Sequence, residues 1–471
     1  MPAATARRID KLLEAGVAAV VVLAPLPFAS VSVKGRLTLE LAAFALLLVW
    51  AFAAWFGSVA SPPKRVLGLL AGLLLLGVVQ MLPLPGAAIR TVSPQTVEVR
   101  ESTLPDSAAL DAETALLGVA PDSLDARGTL SVEPDATASA LRTGAALCAL
   151  LIVATHVAAT CGLRALCLAL LASAAFQGLY GLIVLASGYD RIWNVAKTAY
   201  LNSATGTFVN RNHFADYLAM ALPCGAALWI AGLQRASTRK RGWFVQTFSS
   251  RGSRNLLLLL ALLIGMAGLL VSFSRAGIAL GVTAVAATLW LGTRSRRPTM
   301  RVVIVVLALA VALMPLAQLG ADALWSRLEN SAEDFSNPGS RGTVWGDTLD
   351  LARAFPVFGT GFGTFAAVYP KYRSPEVRRF FAHAHNDLIQ FAAEGGAIGA
   401  ILLIALLVLL ARRLFAAIRG EYGTLGIGAA VGLSATLLHA LIDFNFHIPA
   451  NAALAAVLAG ALWGLPSKPA N

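Results

Sequence analysis

The stretch 380–396, FFAHAHNDLIQFAAEGG, gathers His383, His385, Asn386, Asp387, Gln390 and Glu394 just ahead of the apolar run 397–410. A neutral imidazole can take up a proton near neutral pH, so this density of titratable groups suits general acid–base work. A helix beginning near His383 puts His383, Asp387, Gln390 and Glu394 on one polar face. Polar side chains at the mouth of a membrane span are costly unless they are wet, paired or used. Their number here favours a functional site over the ordinary capping of a helix start.

Similar polar knots precede other apolar runs. In TGTFVNRNH, 205–213, Asn210 or Asn212 can cap the helix that follows, whose free N–H groups and dipole favour an anion. Arg211 adds a planar fork suited to phosphate. In SFSRAG, 272–277, Ser274 can cap the next helix and Arg275 stands at its start. RGTVW, 341–345, brings Arg341, and HALIDFNFHIPAN, 439–451, brings Asp443, His447 and Pro449. Each knot alone fits a capped helix end with an arginine reaching for headgroups. Together they aim arginines at one side of the membrane, where a lipid-borne diphosphate is the natural ligand.

Other chemistries fit less well. An HxH pair on a helix points its rings to different faces, and no HExxH or cysteine set accompanies His383, His385, Asp387 and His447, so no metal site is expected. No GxSxG elbow is present. The run GTGFGTF, 359–365, lacks the strand and helix of a dinucleotide unit, which leaves a tight turn bringing backbone close to another segment. The basic cluster Lys371, Arg373, Arg378 and Arg379 is either a solvated face or an attractor of phosphate or anionic lipid.

The elements that must position these groups are membrane spans. The chain of 471 residues is 57% hydrophobic and 13% charged, with mean hydropathy +0.72. A soluble domain carries about 25% charged residues. Apolar runs near 14–32, 38–57, 66–84, 140–159, 165–187, 211–232, 255–273, 276–292, 302–320, 396–412, 424–442 and 450–466 predict an all-α integral membrane protein with about twelve transmembrane helices. The split at Ser274–Arg275 keeps an arginine out of the bilayer centre.

The net charge of +12 lies in Lys/Arg clusters between alternate spans, the positive-inside pattern, which argues for a bilayer and against nucleic acid. Both termini are then cytoplasmic and every knot above lies outside. The expected organisation is spans 1–3 over 1–84, an acidic outer loop over 85–137, spans 4–9 over 138–320, a large outer loop over 321–395, and spans 10–12 over 396–471. Cys148, Cys161, Cys167 and Cys224 lie in or beside apolar segments and serve as small packing residues.

GTFVNRNHFADYLAMALP, SFSRAG, RGTVW with FPVFGTGFGTF, AHNDLIQFAAEGG and LIDFNFHIPAN, in this order, resemble the O-antigen ligase and polymerase superfamily of bacterial envelope glycosyltransferases. The resemblance runs from about Asn202 to Leu465. It implies a GT-C-like helical fold whose large periplasmic loop carries short helices, in the inner membrane, with no cofactor. It implies His385 as the catalytic residue, and Arg275, Arg341 and Arg211 as ligands of the diphosphate. Asn386, Asp387, Glu394, Asn212 and Asp443 are the expected supporting residues. The implied partners are an undecaprenyl-diphosphate-linked glycan and a hydroxyl acceptor on a glycan, lipid A-core or another molecule. The alternative reading is a multi-span transporter of an anionic solute.

Overall fold

The computed structural model describes residues 2–57, 59–103, 128–236, 250–294 and 339–466, and these are almost entirely helical. In chain order the helices are α1 (Ala3–Leu23), α2 (Val33–Phe56), α3 (Lys64–Met81), the short α4 (Gly86–Val92) and α5 (Pro94–Thr103), α6 (Pro134–Cys161), and α7 (Arg164–Ser187). A small hairpin, β1 (Arg191–Ile192) with β2 (Val195–Ala196), precedes α8 (Arg211–Ala236), α9 (Ser250–Leu270) and α10 (Arg275–Gly292). Then come α11 (Arg341–Ala354), α12 (Phe365–Tyr372), α13 (Asp387–Ile418), α14 (Gly423–His439) and α15 (Pro449–Gly464).

Among the described residues eight helices, α2, α3, α6 to α10 and α13, are long and apolar enough to cross a membrane. α14 and α15 are apolar but shorter. The expected span at 302–320, and residues 104–127 of the acidic loop, lie outside the described residues.

Two boundaries differ from expectation. The first helix starts at Ala3 and stops at Leu23, not near residue 32, because Pro25 and Pro27 cannot continue it and the chain turns through Phe28–Ser30. α13 begins at Asp387 rather than near His383, with the Asn386 side chain accepting hydrogen bonds from Leu388 and Ile389 N–H, both at 3.1 Å. His383 and His385 therefore precede the helix, and the proposed i, i+4 face does not include His383.

Small residues let the helices approach and fix their directions. Gly277 and Gly281 of α10 abut Ala215 and Ala219 of α8, equal steps along both chains, so the two run parallel with their first turns level. Gly428 and Gly432 of α14 meet Cys224 and Met220 in descending order, so α14 runs antiparallel to α8. Gly460 and Gly464 of α15 meet Leu151 and Thr155 of α6, another parallel pair. α8 is the centre of the bundle, with Phe214, Tyr217, Leu218 and Met220 fully enclosed. The starts of α8, α10, α13 and α15 and the end of α14 consequently share one end of the bundle.

A second, smaller core roofs part of that end. Val344 and Leu351 of α11 and Phe355 just after it pack with Phe365, Val368 and Tyr369 of α12 and with Val99 of α5. The glycine run fastens this roof to α13. Thr360 N–H bonds Ala393 O at 3.0 Å and Gly361 N–H bonds Glu394 O at 3.1 Å. Gly359 (φ +71°) lies so close to Glu394 O that a Cβ there would strike it, and Gly396 (φ +60°) is crowded in the same way by Val357 O. Buried Gln80 of α3 closes the joint, donating to Phe358 O at 2.7 Å and Glu394 O at 2.9 Å and accepting from Phe362 N–H at 3.1 Å.

Candidate active site

Five of the chain's six histidines, His213, His383, His385, His439 and His447, collect at this end of the bundle around the turn between α14 and α15. Asp443 in that turn is the hub, its side chain 1% exposed. Its Oδ1 lies 3.1 Å from His385 Nδ1 and accepts the Phe444 N–H at 3.0 Å. Its Oδ2 accepts from Asn212 Nδ2 at 2.9 Å, with a guanidinium nitrogen of Arg341 4.0 Å away. His213 Nε2 points at Oδ1 from 3.9 Å, beyond hydrogen-bond reach. Burial opposes ionisation of Asp443, but the imidazoles of His213 and His385 and the charge of Arg341 outweigh it, so the carboxyl stays well below the usual carboxylate range.

An ionised Asp443 accepts a hydrogen from Nδ1 of His385, which leaves the lone pair of His385 on Nε2. That ring is 19% exposed, enough for a substrate to reach it. Its backbone is held left-handed (φ +54°), with the carbonyl accepting from the Trp345 indole at 3.3 Å. A strained non-glycine residue survives where its surroundings over-determine it. His385 meets that description, because Asn386 next to it is tied to Leu441 O at 2.8 Å and Asp387 N–H to Ala440 O at 2.9 Å.

A second aspartate–histidine pair stands beside the first. Asp387 Oδ1 lies 2.7 Å from His447 Nδ1, and its Oδ2 accepts Phe446 N–H at 3.1 Å. Gln390, one turn into α13, touches His447, His383 and Glu394 through its side-chain nitrogen. The Phe444 ring is shared, stacked against His383 with centroids 4.5 Å apart and edge-on to His385 and His213 at 4.7 Å and 4.6 Å.

Glu394 is committed elsewhere. Its carboxylate accepts Gly363 N–H at 2.8 Å and Phe365 N–H at 3.2 Å, holding the first turn of α12. It serves as the anchor of the roof.

The three predicted arginines each begin a helix. Arg341 opens α11 and donates to Ile442 O at 3.0 Å, within the Asp443 turn. Arg211 opens α8, next to Asn212, with its guanidinium 5.6 Å from the Tyr200 ring. Arg275 opens α10, level with Arg211 but on the neighbouring helix rather than in the Asp443 set. Arg341, Asn212, Asp443 and His385 are thus brought together, with Asn386 and Asp387 adjoining.

Sequence reasoning missed a layer one turn deeper. Asp216 of α8 is fully buried and bonded to His439 Nδ1 at 3.0 Å, Thr436 Oγ1 at 2.8 Å and Asn451 Nδ2 at 3.1 Å. Asn451 also donates to His213 O at 3.0 Å. The concentration of histidines in three short stretches was the available signal.

Residues 258–404 match the family model for O-antigen ligase. Over that stretch, about a third of the chain, the sequence is similar to the O-antigen ligase family. No curated protein matches it. The matched stretch holds Arg275, Arg341, His385 and the glycine run, while Arg211, Asn212 and Asp443 lie outside it. The eight long apolar helices, together with this similarity, fit a multi-pass membrane protein.

Proposed function

We propose that the protein transfers a glycan from undecaprenyl diphosphate to an acceptor hydroxyl at the periplasmic face of the bacterial inner membrane, as an O-antigen ligase or repeat-unit polymerase. The observation that carries this reading is the contact of buried Asp443 with His385 Nδ1, with Arg341 beside the same carboxylate.

In the proposed reaction the acceptor oxygen attacks the anomeric carbon and its proton passes to Nε2 of His385. The bond from the anomeric carbon to the phosphate oxygen breaks, and undecaprenyl diphosphate departs with the bonding pair. Asp443 stabilises the imidazolium that forms, as a carboxylate behind a catalytic histidine does. The leaving diphosphate is a weak base, so charge stabilisation suffices and no strong general acid is needed. Arg341, Arg211 and Arg275 supply that charge, assisted by the helix N-termini they occupy. A single displacement inverts the anomeric configuration.

In this reading α1, α14, α15 and the apolar run 302–320 complete twelve crossings, with both termini cytoplasmic. The test is reconstitution of the purified protein with labelled lipid-linked glycan and candidate acceptors. Transfer by wild type, cut by roughly 10²–10⁴-fold in His385→Gln, is expected. A deletion strain with normal glycan length and attachment but altered solute uptake would point to transport instead.

A further inference from the structure

The two imidazoles beside Phe444, His383 and His385, have opposite hydrogen-bonding capacity at their open nitrogens. The Gln390 side-chain oxygen accepts Ala384 N–H at 3.0 Å, which turns its nitrogen toward His383 Nδ1 at 3.2 Å, His447 Nε2 at 3.0 Å and Glu394 Oε1 at 3.0 Å. An amide nitrogen carries two hydrogens and does not accept, so a hydrogen on His383 Nδ1 would face it with no acceptor. The neutral His383 ring therefore keeps its hydrogen on Nε2. Among the described residues His383 Nε2 has no hydrogen-bond partner, and it is not enclosed. Burial, reinforced by neighbouring His447, His213 and His385, pushes the His383 imidazole down to about 2, so the ring is neutral throughout the physiological range.

His385 thus offers a lone pair and His383 offers a hydrogen, and both rings contact Phe444. We infer that they form a subsite for an acceptor sugar carrying two neighbouring oxygens. The reacting hydroxyl faces Nε2 of His385, and the adjacent oxygen accepts the Nε2 hydrogen of His383. A neutral donor suits a hydroxyl oxygen, whereas phosphate calls for a guanidinium such as that of Arg341 beside Asp443. The Phe444 ring and Phe381, edge-on to His385 at 5.8 Å, supply apolar surface for the sugar's C–H face. His383 is here a binding residue with no share in proton transfer. This assignment rests on the glycan-transfer reading of the site.

Two measurements test it, using the full chain in nanodiscs. The first is the histidine ¹⁵N spectrum of the protein without substrate, in which six histidines keep the signals few. The His383 signals, assigned by their loss in His383→Phe, should report hydrogen on Nε2 from mildly acidic to mildly basic pH. Hydrogen on Nδ1, or titration within that range, would overturn the subsite whatever the enzyme does. The second is transfer to lipid A-core extracted from the same cells. His383→Phe preserves the stack on Phe444 and should raise the acceptor KM roughly tenfold, the loss of one hydrogen bond of about 1.4 kcal/mol. Its kcat, donor KM and pH profile should stay within about threefold of wild type on the same scale. His383→Gln restores an N–H donor and should recover most of the KM. An unchanged KM, or a loss confined to kcat or to the donor KM, would refute the subsite. Absence of transfer by wild type to any acceptor would instead refute the glycosyltransferase reading.

Discussion

Asp443 and His385, 58 residues apart in the chain, meet through Oδ1 and Nδ1 at 3.1 Å, and the carboxylate of the pair is buried. Two variants separate its parts. His385→Gln keeps a hydrogen-bonding side chain but removes the base, and should cut kcat by roughly 10²–10⁴-fold while sparing donor binding. Asp443→Asn removes the acceptor that fixes the tautomer, and should cost on the order of 10³-fold or more. Single-turnover rates with labelled donor measure both. His385→Gln near the wild-type rate would exclude it as the base.

Asp443 also has a stability signature. Its folded value is depressed, so its ionised form stabilises the fold above the unfolded value of about 3.9, and the contribution is lost as pH falls through the folded value. The melting-temperature gap between wild type and Asp443→Asn should therefore hold steady from neutral pH down to about pH 4 and close only below it. A gap that closes near neutral pH would contradict the ionised assignment.

Arg341→Lys keeps the charge but loses the fork that reaches Ile442 O and Asp443 together. Activity should fall by at least about tenfold with normal membrane abundance, and the same is expected of Arg275→Lys. Near wild-type rates in both would reduce the arginines to nonspecific attraction.

Glu394→Gln should act on stability. One N–H of α12's first turn would face an amide nitrogen, a loss of about 1–3 kcal/mol. Denaturation midpoint should drop while activity per folded molecule and its pH profile persist. A changed pH profile would restore Glu394 as a proton carrier.

Asp216→Ala strands His439, Thr436 and Asn451 in a buried layer, and about 3–5 kcal/mol of stability should go with it. Replacing both Asp216 and His439 with leucine should recover much of that loss, since apolar packing of a buried pair is often tolerated. Abundance and thermal melts of the two variants make the comparison.

Orientation is open to cysteine labelling. Probes at exposed Ser187 and Asp350 should react from the periplasm, and those at exposed Thr160 and Arg412 only after the membrane is opened. Outside labelling at Arg412 would turn the active site to the cytoplasm.

Much of the candidate cluster was legible in the sequence because its residues sit in local knots at helix starts, where Asn386 and Ser274 cap as their types require. The pairings were not legible. Asn212 reaches Asp443 across 231 positions and His439 reaches Asp216 across 223, and nothing in local periodicity encodes a partner that distant. The left-handed turn at His385 was equally hidden, because a histidine gives no warning of positive φ as a glycine does. Pro25 and Pro27 did announce the end of α1, but the apolar run passes through them without a break.

The shortness of α14 and α15 limits how far the Asp443 turn stands from a bilayer. With 17 and 16 residues they rise only about 25 Å, against a hydrocarbon layer of about 30 Å. If both cross that layer, the turn joining them, with Asp443 and His447, cannot stand clear of the lipid headgroups. A diphosphate carried on a polyprenyl chain already rides at that height. In the proposed reaction the donor would slide in sideways from the leaflet without being hauled out of the membrane, and the water-borne part of the encounter would be left to the acceptor.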